Sequence, residues 1–212
     1  MLKPWINKEG LVDYETMKND PWIQEKLHEI EIINISQFDY NEKFAFWLNA
    51  YNLLTIKNVL TEFEKNPQWK GNLSILSKIR FFYLRKFKVA GEKINLYNLE
   101  NKILRKRFKD PRIHFAINCA SRSCPILPGK LFQAEFLNEY LEELTSTFIN
   151  DESNVFLDEQ NKILFLNRIF KYYKKDFKEG IRNFILKYLT RSIPLDNFKL
   201  EYFKYDWSVN TV

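Results

Sequence analysis

Phe44-Ala45-Phe46-Trp47-Leu48-Asn49-Ala50-Tyr51-Asn52-Leu53-Leu54-Thr55-Ile56 is the stretch on which the fold turns. Wound as a helix, it presents apolar side chains on nearly all sides, and Val59 and Leu60 continue the pattern. Such a helix, over about 41–63, belongs at the centre of a domain and not on its surface. Ser36 and Asp39 stand ahead of it as candidate N-caps, because their short side-chain oxygens can take up free backbone N–H groups. Asn49, Asn52 and Thr55 recur at every third position and so share one face. Buried amides have to be hydrogen-bonded. The stripe therefore either ties down a neighbouring loop, the commoner use, or lines a pocket.

On the amino-terminal side, residues 8–13 read as a turn entering a short extended piece, and 14–33 has helical periodicity broken at Pro21. On the other side, a short helix is predicted over 74–81 and a hairpin over 87–96 around Gly91. Asn95 caps a helix over 96–108 that ends at Asp110-Pro111. Arg112-Ile113-His114-Phe115-Ala116-Ile117-Asn118 alternates in the manner of a strand, with His114 and Asn118 on one face. A helix over 134–150, a hairpin over 155–166, helices over 169–176 and 181–188, and an extended aromatic tail complete the chain. The expectation is one α+β domain over 1–212, mostly helical, with a small sheet of about five strands.

The totals agree with a folded domain of ordinary size: 212 residues, 45% hydrophobic, 28% charged and 17% aromatic. Thirty-three basic residues against 27 acidic ones give a net charge of +6. The two signs are interspersed, and the basic patches at 80–88, 102–109 and 171–178 are interrupted by apolar residues, so no strong nucleic-acid signal results. No apolar run reaches the length of a membrane span. The amino terminus lacks a secretory signal, which makes the cytoplasm the expected compartment unless a leader was removed. Two cysteines are too few for the disulfide framework of a small secreted scaffold.

Chemistry concentrates between His114 and Pro125. His28 sits in a polar helical context at the surface, whereas His114 precedes the loop Cys119-Ala120-Ser121-Arg122-Ser123-Cys124-Pro125. Loops leaving a rigid element commonly carry catalytic groups. A thiol becomes a strong nucleophile beside an imidazole, and the imidazole needs a third group to orient it. Glu100 is the nearest acidic candidate in sequence. His114, Cys119 and Cys124 are also ligand types that zinc accepts, but the spacing fits no familiar zinc pattern and no fourth ligand is evident, so neither metal nor cofactor is expected. Packing is the alternative for both cysteines, since a free cysteine is commonly a small buried hydrophobe.

The chain resembles the family named for domain of unknown function 547 (DUF 547). Six motifs in order carry the resemblance, among them Phe46-Trp47-Leu48-Asn49-Ala50-Tyr51-Asn52, Asn98-Leu99-Glu100-Asn101, the segment from Arg112 to Pro125, Ile169-Phe170-Lys171-Tyr172-Tyr173-Lys174-Lys175-Asp176-Phe177 and Tyr205-Asp206-Trp207. The chain departs from the family's common residues at Asn101 and Tyr172. The resemblance implies a Glu–His–Cys constellation like that of papain-like and transglutaminase-like hydrolases, with Glu100, His114 and Cys124 in the three roles and Cys119 as the alternative nucleophile. It would act on a peptide or acyl substrate as a thiol hydrolase or acyltransferase. Backbone N–H groups near Cys124, with Asn49, Asn52, Asn118 and Ser123, are the pocket or oxyanion candidates. A protein-binding or scaffold module is the non-catalytic alternative, and binding of the basic surface to nucleic acid or anionic membrane a second one. Substrate and oligomeric state are not legible.

Overall fold

Asp39 accepts the backbone N–H of Glu42 at 2.8 Å, and the Glu42 carboxylate accepts the N–H of Asp39 at 2.7 Å. This reciprocal cap satisfies two free donors and fixes the start of the central helix. The computed structural model describes residues 3–191 and 194–212. Three helices open it: α1 (Tyr14–Lys18), α2 (Pro21–Ile32) and α3 (Tyr40–Lys65). The break between the first two falls where Asp20 caps α2 and Pro21 takes its first position, where a missing N–H costs nothing. Along α3 the apolar side chains from Phe44 to Leu60 are buried, as its all-round pattern requires.

Ser74 caps α4 (Ile75–Lys78), which widens into a π-helix over Ile79–Leu84. The hairpin of β1 (Phe87–Val89) and β2 (Glu92–Ile94) pairs Phe87 with Ile94 around Gly91. Asn95 then accepts the N–H of Asn98 to start α5 (Leu96–Asn98), again continued by a π-helix, Leu99–Phe108. Beyond α6 (Ile113–Ala116) and α7 (Leu137–Ile149), β3 (Val155–Asp158) pairs antiparallel with β4 (Ile163–Leu166). Then α8 (Ile169–Tyr172), a 3-10 turn at Lys174–Asp176, and α9 (Ile181–Tyr188) lead to β5 (Lys199–Tyr202), which lies parallel to β4. The fold is α+β and mostly helical. Among the described residues, five strands form two small sheets, whereas the sequence predicts a single one. Among the described residues, no helix is long and apolar enough to cross a membrane.

The predicted strand over 112–118 is a short helix, α6. Asp110 accepts the N–H of Arg112 at 2.9 Å, and the carbonyls of Asp110, Pro111 and Arg112 take the next three N–H groups in turn. The alternation has another origin. Ile113, Ala116 and Ile117 pack into a hydrophobic cluster around α3, while Phe115 faces a second cluster built on β3, β4, α8 and α9. The segment threads between two cores, and the pattern that mimicked a sheet reports one residue set for each.

The tail beyond β5 runs as a strap across the molecule. It bridges Gly71 at Ser208, Ser121 at Val209 and Val12 at Thr211. At Gly71, with φ +109°, a Cβ would stand 2.5 Å from the Trp207 carbonyl oxygen, so only glycine lets the strap pass. Asn210 accepts the Tyr14 hydroxyl at 2.9 Å and donates its backbone N–H to Ala120 at 3.2 Å. The cysteine loop is therefore held by the strap, which Val12 and Tyr14 hold in turn.

Candidate active site

The asparagine stripe of α3 is the foundation of the site. Asn52 donates to the Ala116 carbonyl and accepts the Asn118 N–H, both at 2.9 Å, which fixes the exit of α6. Asn49 makes the same two-way bond with the backbone of Phe132. The stripe thus ties loops, and its residues are not in the wall of the cavity that His114 lines. Thr55 Oγ1, further along it, is buried without a hydrogen-bond partner. Asn118 in turn donates to the Pro125 carbonyl at 2.6 Å and accepts the Ala120 N–H at 2.7 Å, while Ser123 Oγ accepts the N–H of Asp206. Asn52, Asn118 and Ser123 hold the cysteine loop and its approach, while Asn49 holds the segment at Phe132.

Above this scaffold opens a cavity of about 270 Å³ lined by Glu100, His114, Cys119 and Cys124. Four sequence-predicted residues therefore meet, from the π-helix, from α6 and from the loop. Aromatic rings make most of the remaining wall, including Tyr51, Tyr172, Tyr173, Tyr205 and Trp207. Asn101 and Tyr172 line it as well. His28 is exposed on α2 and takes no part.

His114 is buried, and its partner is not Glu100. Nε2 lies 2.7 Å from Asp176 Oδ2. An ionised carboxylate only accepts, so Nε2 donates to it, and the ring's other nitrogen, Nδ1, is the one left to accept. Arg105 grips the same carboxylate in two-pronged fashion, Nε to Oδ2 at 2.6 Å and Nη2 to Oδ1 at 3.0 Å. Burial pushes the Asp176 pKa up, but the hydrogen bonds from His114 and Arg105 outweigh it and hold the carboxyl well below the usual range. Tyr173 stacks on the His114 ring at 3.9 Å between centroids, with the Arg105 guanidinium 4.8 Å from the Tyr173 ring centroid. The imidazole is fixed at its edge and on one face.

Glu100 serves another purpose. Its Oε2 accepts the Tyr51 hydroxyl at 3.2 Å, and its Oε1 is buried with no hydrogen-bond partner. Burial, with the Glu100 charge added, raises the Tyr51 and Tyr173 hydroxyls well above the usual phenol range. Burial does the same for Tyr205, partly offset by its bond from Ser121. All three stay protonated and able to donate.

Cys119 and Cys124 are joined by a disulfide, so the free thiols expected from the sequence are not present in this state. The loop Cys119–Cys124 brings the two within 6.1 Å between Cα atoms, inside the range a bridge spans. Cys124 Sγ accepts the N–H of Cys119 at 2.9 Å. Cys119 Sγ lies 3.1 Å from Ser121 Oγ and 3.3 Å from the Tyr205 hydroxyl. The N–H groups of Cys119, Ala120, Arg122, Ser123 and Cys124 are taken by partners within the protein, which leaves that of Ser121 without one among these bonds. Among the described residues no three His, Cys, Asp or Glu side chains are grouped to hold a metal ion.

Residues 35–149, just over half of the chain, match the family model described as "Protein of unknown function, DUF547". The chain belongs to the DUF547 family. No curated protein and no solved structure gave a match. The matched span of this DUF547 chain contains Glu100, His114, Cys119 and Cys124, whereas Asp176, Tyr173 and Tyr205 lie beyond it. Those three are the site residues that sequence reasoning missed. The signal available for two of them was the polar, charged end of an otherwise aromatic segment, Tyr173-Lys174-Lys175-Asp176.

Proposed function

We propose that the cavity is a thiol-dependent acyl-transfer site, hydrolytic when water is the acceptor, and that the disulfide is its oxidised resting form. The observation that carries this is the orientation of His114, a buried imidazole held through Nε2 by Asp176 in a cavity that both sulfurs line. Reduction by an external dithiol yields two thiols and an oxidised dithiol. Cys124 then gives its proton to His114 Nδ1, helped by the Cys119 N–H that its sulfur accepts. The thiolate forms a bond to the acyl carbon, the leaving group departs with the proton from His114, and water or an amine cleaves the thioester. Tyr205, with its hydroxyl held protonated and 3.3 Å from Cys119 Sγ, is the oxyanion donor. Asp176 takes the orienting role that the resemblance gave to Glu100. The papain-like arrangement implied by the resemblance belongs to this proposal.

The test is alkylation of the reduced protein by iodoacetamide across pH, with the modified cysteine mapped. One cysteine should react well below the ordinary thiol pKa of about 8.5, and His114→Ala should slow it at least about tenfold at neutral pH. Equal, slow labelling of both cysteines in the two proteins sinks the proposal. A second reading, a binding module without chemistry, is favoured by the bridged sulfurs and the aromatic wall. Ligand capture by the oxidised protein, unchanged in Cys124→Ser and without turnover, would establish it.

A further inference from the structure

The helix that rims the cavity carries an unusual outer face. On α4 and around it, Leu73 is 60% exposed, Ile75 76%, Leu76 79% and Leu84 67%. Ile79 and Tyr83 continue the row from Ile75 at helical spacing, and both are more than a third exposed. Single exposed apolar residues are ordinary, but six within twelve positions form a patch that water does not favour. The inner side of the same helix is conventional, with Phe81 fully buried.

Charge says what covers it. Between Lys65 and Gly91 there is no Asp or Glu, although the two signs alternate elsewhere, and the stretch carries Lys65, Lys70, Lys78, Arg80, Arg85, Lys86 and Lys88. Glu62 neutralises Arg80 and Arg85, and Lys88 meets Glu31 at 3.4 Å. Lys65, Lys70, Lys78 and Lys86 have no ion pair among the described residues. Lys78 lies over the Trp207 ring at 3.8 Å, and the other three stand before and after the helix in the chain. An apolar helical face in so basic a stretch matches an anionic lipid surface, whose headgroups meet the cations while the side chains enter the acyl boundary. A protein groove would have to supply both an apolar floor and an acidic rim.

We propose that α4 and its π-helical continuation form an interfacial docking face for anionic lipid. The face adjoins the cavity, because Lys78 and Tyr83 also line the cavity wall. Docking would set the mouth of the cavity at the lipid boundary. This assignment narrows the general basic-surface alternative to one named face, and it does not depend on the acyl-transfer proposal.

Co-sedimentation of the full chain with phosphatidylcholine vesicles, with and without phosphatidylglycerol, tests it. Binding is expected only to the anionic vesicles and should weaken steeply with salt. Leu76→Asp, at a position too exposed to disturb the core, should reduce binding about tenfold or more. Lys86→Glu should reduce it about fivefold. Both variants should keep the wild-type unfolding midpoint. Binding to neither vesicle, or binding that Leu76→Asp leaves unchanged, overturns the proposal. So does a self-associated protein that Leu76→Asp converts to monomer without any vesicle binding, which would give the face to a second copy of the chain.

Discussion

His114 and Asp176, 62 positions apart in the sequence, meet with 2.7 Å between Nε2 and Oδ2. The contact joins α6, which threads between the two hydrophobic clusters, to the 3-10 turn after α8. Because the same carboxylate is clamped by Arg105, the ring is held by a group that is itself immobile. This is the form of support a working imidazole needs.

The Asp176 clamp has a signature in acid. Its folded-state pKa is depressed below the ordinary 3.8, so in acid the unfolded chain binds the proton more readily than the folded one. The stabilisation is present above that ordinary value and is lost as the pH falls through it towards the folded value. Urea unfolding between about pH 2 and 6 should show a steeper acid decline for wild type than for Asp176→Asn. Parallel curves would mean that the clamp contributes nothing.

Two neighbours on α3 should behave oppositely. Asn52→Ala strands the buried Ala116 carbonyl and Asn118 N–H, and should cost about 3 kcal/mol in denaturant unfolding. Thr55 Oγ1 is buried and unpartnered, so Thr55→Val should leave stability within about 0.5 kcal/mol or raise it. A large loss in Thr55→Val would show that its hydroxyl has a partner.

Reduction of the Cys119–Cys124 bridge should be mild. The sequence separation is 5, and so short a loop restricts the unfolded chain little, which corresponds to about 2 kcal/mol. The double variant Cys119→Ser/Cys124→Ser should match the reduced wild type in its unfolding midpoint. Collapse of the fold on reduction would contradict a reversible bridge.

Glu62 is buried on α3 with Arg85 on one oxygen and Arg80 on the other. Glu62→Ala leaves the largely buried Arg85 uncompensated and should cost about 3 kcal/mol or more. Glu62→Gln, which keeps the shape, should cost less. Thermal unfolding of the two variants decides this, and equal midpoints for wild type and Glu62→Ala would refute it.

Local signals were the legible ones. The all-round apolar helix, the Asp39 cap, the break at Pro21 and the turn at Gly91 are each set by residues a few positions apart, and each stands in the structure. The segment around His114 was misread because alternation with period two normally means two faces of a sheet, whereas Ile113 and Phe115 serve different cores. The meeting of Glu100, His114 and the cysteines in one cavity was anticipated. The carboxylate that meets His114 is Asp176, which tertiary packing delivers from 62 positions away, whereas Glu100, the nearest acid in sequence, meets Tyr51. The asparagine stripe was recognised as facing polar groups, but only the positions of Ala116, Asn118 and Phe132 show that those groups are loops.

The strap that passes over Gly71 also governs the order of assembly. Thr211 reaches Val12 across 199 positions, and a closure of that span brings the largest loss of chain freedom in the molecule. The buried helix can form from its own neighbourhood, but the turn bearing both sulfurs gains its bridge to Val209 only when the strap is laid down. During refolding the framework should therefore mature early and the cysteine loop late. A protein that looks native by its helical signal can still lack a finished cavity.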